Sequence, residues 1–194
     1  MEPKELLDIL GVAHRLKINT RHCFMENNRQ ESVAEHSWRV SLMALLVADE
    51  FPQFDMDRVI KMCLIHDLGE AFTGDIPAFE KNDADRITEV DQFRRWIESF
   101  PNPTRQTFQS LLEEMDAQIT PESKLFKALD KLEAVIAHNE SDIETWLDLE
   151  YEFQYIYGAK QVTFSDYLIR LKKEIDDWTT QKIEQSKNQK EKSL

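Results

Sequence analysis

The chain has 194 residues, with 37 acidic and 24 basic side chains and a formal net charge of -13. That balance argues against a nucleic-acid polymer or an anionic membrane surface as partner, because both recruit cationic patches. Four glycines and six prolines are too few for the many tight turns of an all-β sandwich or barrel, and two cysteines build no disulfide framework. The strongly apolar stretch Leu42 to Ala48 is far too short to cross a bilayer, and the acidic N-terminus does not read as a signal peptide. The expected location is cytoplasmic.

Nearly every segment reads as helix. Leu6, Leu7, Leu10, Ala13 and Ile18 recur roughly at helical spacing, so a helix is predicted over Pro3 to Ile18. The polar segment Asn19 to Gln30 reads as a loop. Ser32 and Glu35 form a capping box opening a helix to about Glu50, which Pro52 ends. Asp55 caps the next, which stops near Gly69, and Thr73 to Pro77 reads as a turn. A charged helix covers about Asp83 to Ser99. Asn102 and Pro103 fit the N-cap and first position of another.

Thr120-Pro121 opens a helix to about Asn139. Ser141 and Glu144 form a second capping box, on a helix closed by Gly158. Thr163 or Ser165 starts the last helix, and the residues from 185 to 194 read as a polar, frayed tail. The expectation is one all-α domain over residues 1–184, with a motif region at 31–139 and C-terminal helices at 141–184.

Three of these helices place ionisable groups on apolar stripes. The stripe of Met56, Val59, Ile60, Cys63 and Leu64 continues to Asp67, with His66 on its flank. His36 shares a line with Val40, Met43 and Val47, and Asp130 with Phe126, Ala134 and Ala137. A buried carboxylate left unpaired costs several kcal/mol, so Asp67 and Asp130 require compensation. Arg or Lys can supply it, and Lys127 or Lys131 stands ready for Asp130. A divalent cation is the alternative: two imidazoles and two carboxylates carry a summed charge of -2. Such a mixed set suits Mn, Fe, Co, Ni or Zn better than Ca or Mg.

His36, the pair His66-Asp67 and then Asp130 resemble the H…HD…D signature of the HD-domain metal-dependent phosphohydrolases. The flanking runs 31–37, 66–70, 73–77 and 127–131 are similar to those of the bacterial 5′-deoxyribonucleotidases and their eukaryotic relatives. The resemblance covers about Leu6 to Asn139 and is looser beyond. It implies an all-α HD-domain helical bundle in which His36, His66, Asp67 and Asp130 hold one divalent transition metal ion. It also implies a phosphohydrolase that removes phosphate from nucleoside 5′-monophosphates, deoxyribonucleotides among them, by attack of a metal-bound water.

The same resemblance makes Glu70 and Asp75 the catalytic acids and Arg21 the phosphate-binding residue. Arg21 read on its own could equally pair with Glu26 at the surface. His22 stands where the bacterial branch has a tryptophan associated with the deoxyribose, so it occupies a substrate-binding position with changed chemistry. His14 and His138 match no ligand position. Relatives commonly form dimers, and the aromatic-rich run Trp146 to Tyr157 offers apolar surface for a homodimer. Two alternatives share these residues: an HD phosphohydrolase acting on a triphosphate, cyclic nucleotide or alarmone, and a non-catalytic, metal-stabilised nucleotide-binding scaffold.

Overall fold

Capping residues and turn formers set most element boundaries in a computed structural model that describes residues 1–26 and 28–192. Helix α1 spans Pro3–Ala13 and tightens into a 3-10 turn at His14–Lys17, short of the predicted Ile18. The segment expected to be a loop contains strands β1, Thr20–Phe24, and β2, Gln30–Ser32, paired in a two-stranded sheet. Of the β1 residues only Cys23 is buried, so no alternating apolar pattern announces the strand.

Ser32 forms its predicted capping box. Its Oγ accepts the Glu35 N–H at 3.3 Å, and the Glu35 carboxylate accepts the Ser32 N–H at 2.8 Å. Helix α2 then runs over Val33–Leu46, followed by a 3-10 turn at Ala48–Glu50. Asp55 caps α3, Met56–Ile65, by accepting the Arg58 N–H at 3.1 Å. Helix α4 is the short Glu70–Thr73, ended at Gly74 with φ +76. Asn82 caps α5, Asp83–Glu98, and α6, Thr104–Ala117, starts one residue later than predicted, with Pro103 at the cap.

Helix α7 is Pro121–Glu140. The second predicted capping box does not form. The Ser141 hydroxyl donates back to the Ala137 carbonyl at 2.9 Å and accepts the Phe24 N–H at 3.0 Å, so it does not turn forward to cap. Asp142 takes over, accepting the Glu144 N–H at 3.0 Å to open a 3-10 turn at Ile143–Thr145. Helix α8 is only Glu150–Ile156, and α9, started by Ser165, spans Asp166–Lys192. Helix α9 therefore continues past residue 185, where a frayed tail was expected; Ser193 and Leu194 lie outside the described residues. The fold is all-α apart from the one small sheet. No helix among the described residues is long and apolar enough to cross a membrane.

The chain packs as two compact units. The first holds Met1–His22 and Glu31–Phe126; the second holds Cys23–Gln30 and the chain from Lys127 onward. In the first, α2 packs on α3 around Val33, Val40, Ala44, Val59, Met62 and Cys63. Edge-on rings extend its core, Phe72 to Trp96 at 5.7 Å and Trp96 to Phe100 at 4.9 Å. The second unit is built on Leu129, Leu132, Val135, Leu168 and Ile175. There His138 is structural: Nδ1 sits 3.0 Å from the Ala134 carbonyl and Nε2 sits 2.9 Å from Glu150.

Candidate active site

Three ligand atoms converge in the first unit. His36 Nε2 lies 3.2 Å from His66 Nε2, His66 Nε2 lies 3.1 Å from Asp67 Oδ2, and His36 Nε2 lies 3.6 Å from that oxygen. His36 lies on α2 and is fully buried, as are Val40 and Ala44 on the same helix, and Val47 is buried just past its end. His66 follows the last residue of α3, and its Nδ1 is 2.8 Å from the Cys63 carbonyl. A carbonyl only accepts, so Nδ1 carries the hydrogen, and the neutral ring keeps a lone pair on Nε2, facing the other two atoms.

The predicted stripe on α3 is rotated. Val59, Met62 and Cys63 are buried and point the series to His66, whereas Leu64 is exposed. The helix ends at Ile65, so Asp67 belongs to the following turn and not to a helical face. His66 keeps helical backbone angles (φ -60, ψ -39), and the Leu68 N–H donates to the Ile65 carbonyl at 3.1 Å in the turn that carries Asp67.

Glu70, the first residue of α4, is 2% exposed. Burial, then Asp67, Asp75 and Glu89, push its carboxyl up to about 10, and Lys81 opposes them. Its Oε2 meets no hydrogen-bond donor among the described residues. Asp75 follows the positive-φ Gly74. Burial raises its carboxyl above the ordinary value, Arg21 pulls it back, and Asp67 raises it again. The backbone of α4 is tied to the start of β1 by Asn19, whose side chain donates to the Glu70 carbonyl at 2.5 Å.

Gly69 is what lets α5 approach this turn. A Cβ there would lie 2.9 Å from Glu89 Cγ, 3.2 Å from the Glu89 carbonyl oxygen and 3.3 Å from Phe93 Cβ. Backbone cannot swing aside as a side-chain tip can. Gly69→Ala is therefore expected to cost about 1–3 kcal/mol in denaturant unfolding, with a larger proportional loss of activity, because α5 is pushed away from Glu70.

Arg21 projects from β1. Its Nε is 3.3 Å from Glu31 and its Nη1 is 3.9 Å from Asp67. Glu31, buried, also faces Arg39 at 3.9 Å. The next residue, His22, meets Phe79 edge-on at 5.8 Å between ring centres. Asp130 stands on α7 in the second unit, where Lys127 Nζ is 2.7 Å from its Oδ2; that is one of the two salt bridges its position suggested.

These residues suit a divalent cation. An ion about 2.1 Å from each ligand atom requires the atoms to lie roughly 3.0–3.4 Å apart, close to the observed triangle. Among the described residues, the carboxylates Glu31, Asp67, Glu70, Asp75 and Glu89 stand near the cations Arg21, Arg39 and Lys81. A cation bound among these carboxylates would offset their mutual repulsion. Sequence reasoning did not mark Glu31, Lys81, Glu89 or Phe79 as site residues. Glu31 carries the one available hint, lying in a run that resembles the family.

Known proteins resemble this chain in sequence and in fold. The HD domain family model matches residues 13–172. The 5′-deoxynucleotidase HDDC2 of Danio rerio is 32% identical over 149 residues, covering 72% of this chain and 71% of that protein. The human 5′-deoxynucleotidase HDDC2 is 30% identical over 151 residues, covering 73% and 71%. Among solved structures, a predicted metal-dependent phosphohydrolase from Magnetospirillum magnetotacticum MS-1 shares the fold, with TM-score 0.75 at 23% identity over 92% of this chain and 93% of that one. With the motif order, the helical fold and the family match in agreement, this chain belongs to the HD domain family.

Proposed function

We propose that the protein is a metal-dependent phosphohydrolase that releases phosphate from nucleoside 5′-monophosphates, deoxyribonucleotides among them. The observation that carries this reading is the convergence of His36 Nε2, His66 Nε2 and Asp67 Oδ2 beside a buried Glu70 with an unpartnered oxygen. Relatives named 5′-deoxynucleotidase support it. His36, His66 and Asp67 would hold the ion, one of Mn, Co, Fe, Ni or Zn, and the H…HD…D pattern adds Asp130 as a fourth ligand. When bound, the ion neutralises charge on the phosphoryl oxygens and lowers the pKa of water.

The chain's own residues do the rest. The guanidinium of Arg21 presents a fixed fork to the phosphate. A cation beside Asp67 cancels one of the charges that raise the Glu70 carboxyl, and the carboxylate so favoured would accept the proton of the attacking water through Oε2. Asp75, with its carboxyl raised, supplies a proton to the departing 5′ oxygen as the P–O bond breaks. His22 and Phe79, beside Arg21, offer ring edges to the sugar and base. The buried thiols of Cys23 and Cys63 fit a reducing cytoplasm. Leu147, Leu149 and Ile156 are exposed, and this apolar surface would be covered in a homodimer.

The test is phosphate release from a nucleotide panel, with Mn or Co restored after chelation. Turnover of 5′-monophosphates is expected, with no turnover before the metal is restored. Hydrolysis of triphosphates, cyclic nucleotides or alarmones alone would move the substrate assignment, and binding without hydrolysis would favour a scaffold.

A further inference from the structure

Glu70 and Glu89 share one ammonium group. Lys81 Nζ is 2.5 Å from Glu89 Oε2 and 3.6 Å from Glu70 Oε1, and the Lys81 side chain is 16% exposed. The three residues come from separate places: Glu70 opens α4, Lys81 lies in the segment between Gly74 and α5, and Glu89 sits within α5. Gly69 admits the Glu89 Cγ and backbone next to Glu70. A simple surface ion pair would need none of this.

The arrangement treats the two oxygens of Glu70 differently. Oε1 faces the ammonium, while Oε2 meets no donor. Tethering one oxygen of a planar carboxylate fixes where the other points. The shorter contact to Glu89 in turn fixes the ammonium, which otherwise rides on a stem of four carbons. Electrostatics supports the grouping: Glu89, Asp67 and Glu70 all act on Lys81.

We propose that Lys81, aimed by Glu89, is a positioning residue that holds Glu70 with its second oxygen turned to the reacting water. This rests on the reading of Glu70 as the base. Lys81 then acts on the chemical step through Glu70 and contributes little to holding the nucleotide.

The test combines kinetics with a coupling measurement. In the metal-loaded protein, Lys81→Met is expected to lower kcat about a hundredfold with KM within about threefold, and Lys81→Arg to recover most of that loss. Glu89→Gln should lower kcat about tenfold at unchanged KM, and it keeps the question answerable should Lys81→Met fold poorly. Adding Lys81→Met to Glu70→Gln should cost little further activity. A rise in KM with kcat unchanged, or full additivity with Glu70→Gln, would overturn the proposal.

The second arm needs no turnover. In the metal-loaded protein at pH 9, where the bound cation and the alkaline pH favour the Glu70 carboxylate, Lys81→Met should lower Tm by about 2–4 °C less in the Glu70→Gln background than in the wild type. Equal losses in both backgrounds overturn the positioning role. If the wild type hydrolyses no nucleotide, the nucleotidase reading falls, and this thermal coupling still decides whether Lys81 holds Glu70.

Discussion

Asp67→Ala is expected to lower phosphate release by at least about a thousandfold, the loss that follows when roughly 4 kcal/mol of charge stabilisation is removed from the reacting phosphoryl group. Metal content should fall from about one equivalent to near zero, because a neighbour of two imidazole lone pairs is gone. Thermal unfolding separates this from misfolding. A ligand at a hundred times its Kd stabilises by about 2.7 kcal/mol, or roughly 5–10 °C for a chain of this size. The wild type should show that rise on adding Mn or Co, and Asp67→Ala should not. Without metal the variant should melt no lower than the wild type, since Asp67 is itself a cause of the raised Glu70 carboxyl. Asp130→Ala, if Asp130 is the fourth ligand, should give the same pair of results. Retained turnover in either variant would remove that residue from the site.

The second large effect has opposite signs on stability and activity. Glu70→Gln should lower kcat at least about a hundredfold, since an amide cannot accept the water's proton. The same change should raise the Tm of the metal-free protein by roughly 5 °C at pH 8. The sign follows from the folded carboxyl at about 10 against an ordinary 4.5. Between these values the folded protein keeps a proton that the unfolded chain has released. Stability therefore falls as pH rises through that window, by up to about 1.4 kcal/mol per unit. Glutamine carries no such proton, so the gain of the variant should be small near pH 4.5 and grow on the alkaline side. Saturating metal should narrow it, because a cation at Asp67 cancels one of the causes of the shift. Melts from pH 5 to 9, with and without metal, measure all of this. A Tm gain independent of pH would show that Glu70 is not held protonated.

Such a residue illustrates the ordinary exchange of stability for chemistry. Glu70 is buried among Asp67, Asp75 and Glu89, with Lys81 as the opposing charge named for it. A stable fold has no use for that crowding, whereas a base beside a cation does.

What could be read from the sequence divides along physical lines. Helix N-caps are set within four consecutive residues, so Ser32 and Asp55 could be placed in advance. Ser141 has the same local pattern and fails, because its hydroxyl is taken by the Ala137 carbonyl behind it and the Phe24 N–H brought by the fold. The strand β1 stayed hidden because it buries one residue of five, and the pattern that announces a strand is one of burial.

Taken by itself, the sequence determined an all-α chain with an acidic surface, and the identities of His36, His66, Asp67, Glu70, Asp75 and Arg21 as site candidates. Helical periodicity, a local property, marks His36, His66 and Asp67, and the resemblance of the motifs to a known family adds Glu70, Asp75 and Arg21. The tertiary structure decided how those groups stand toward one another. It placed Asp67 in a turn, set Glu31 beside Arg21, and brought α5 over Gly69 so that Lys81 and Glu89 meet Glu70. Residues 11 and 19 positions beyond Glu70 have no periodic relation to it. Only packing brings them within reach of a carboxylate, and only then does burial give their charges weight.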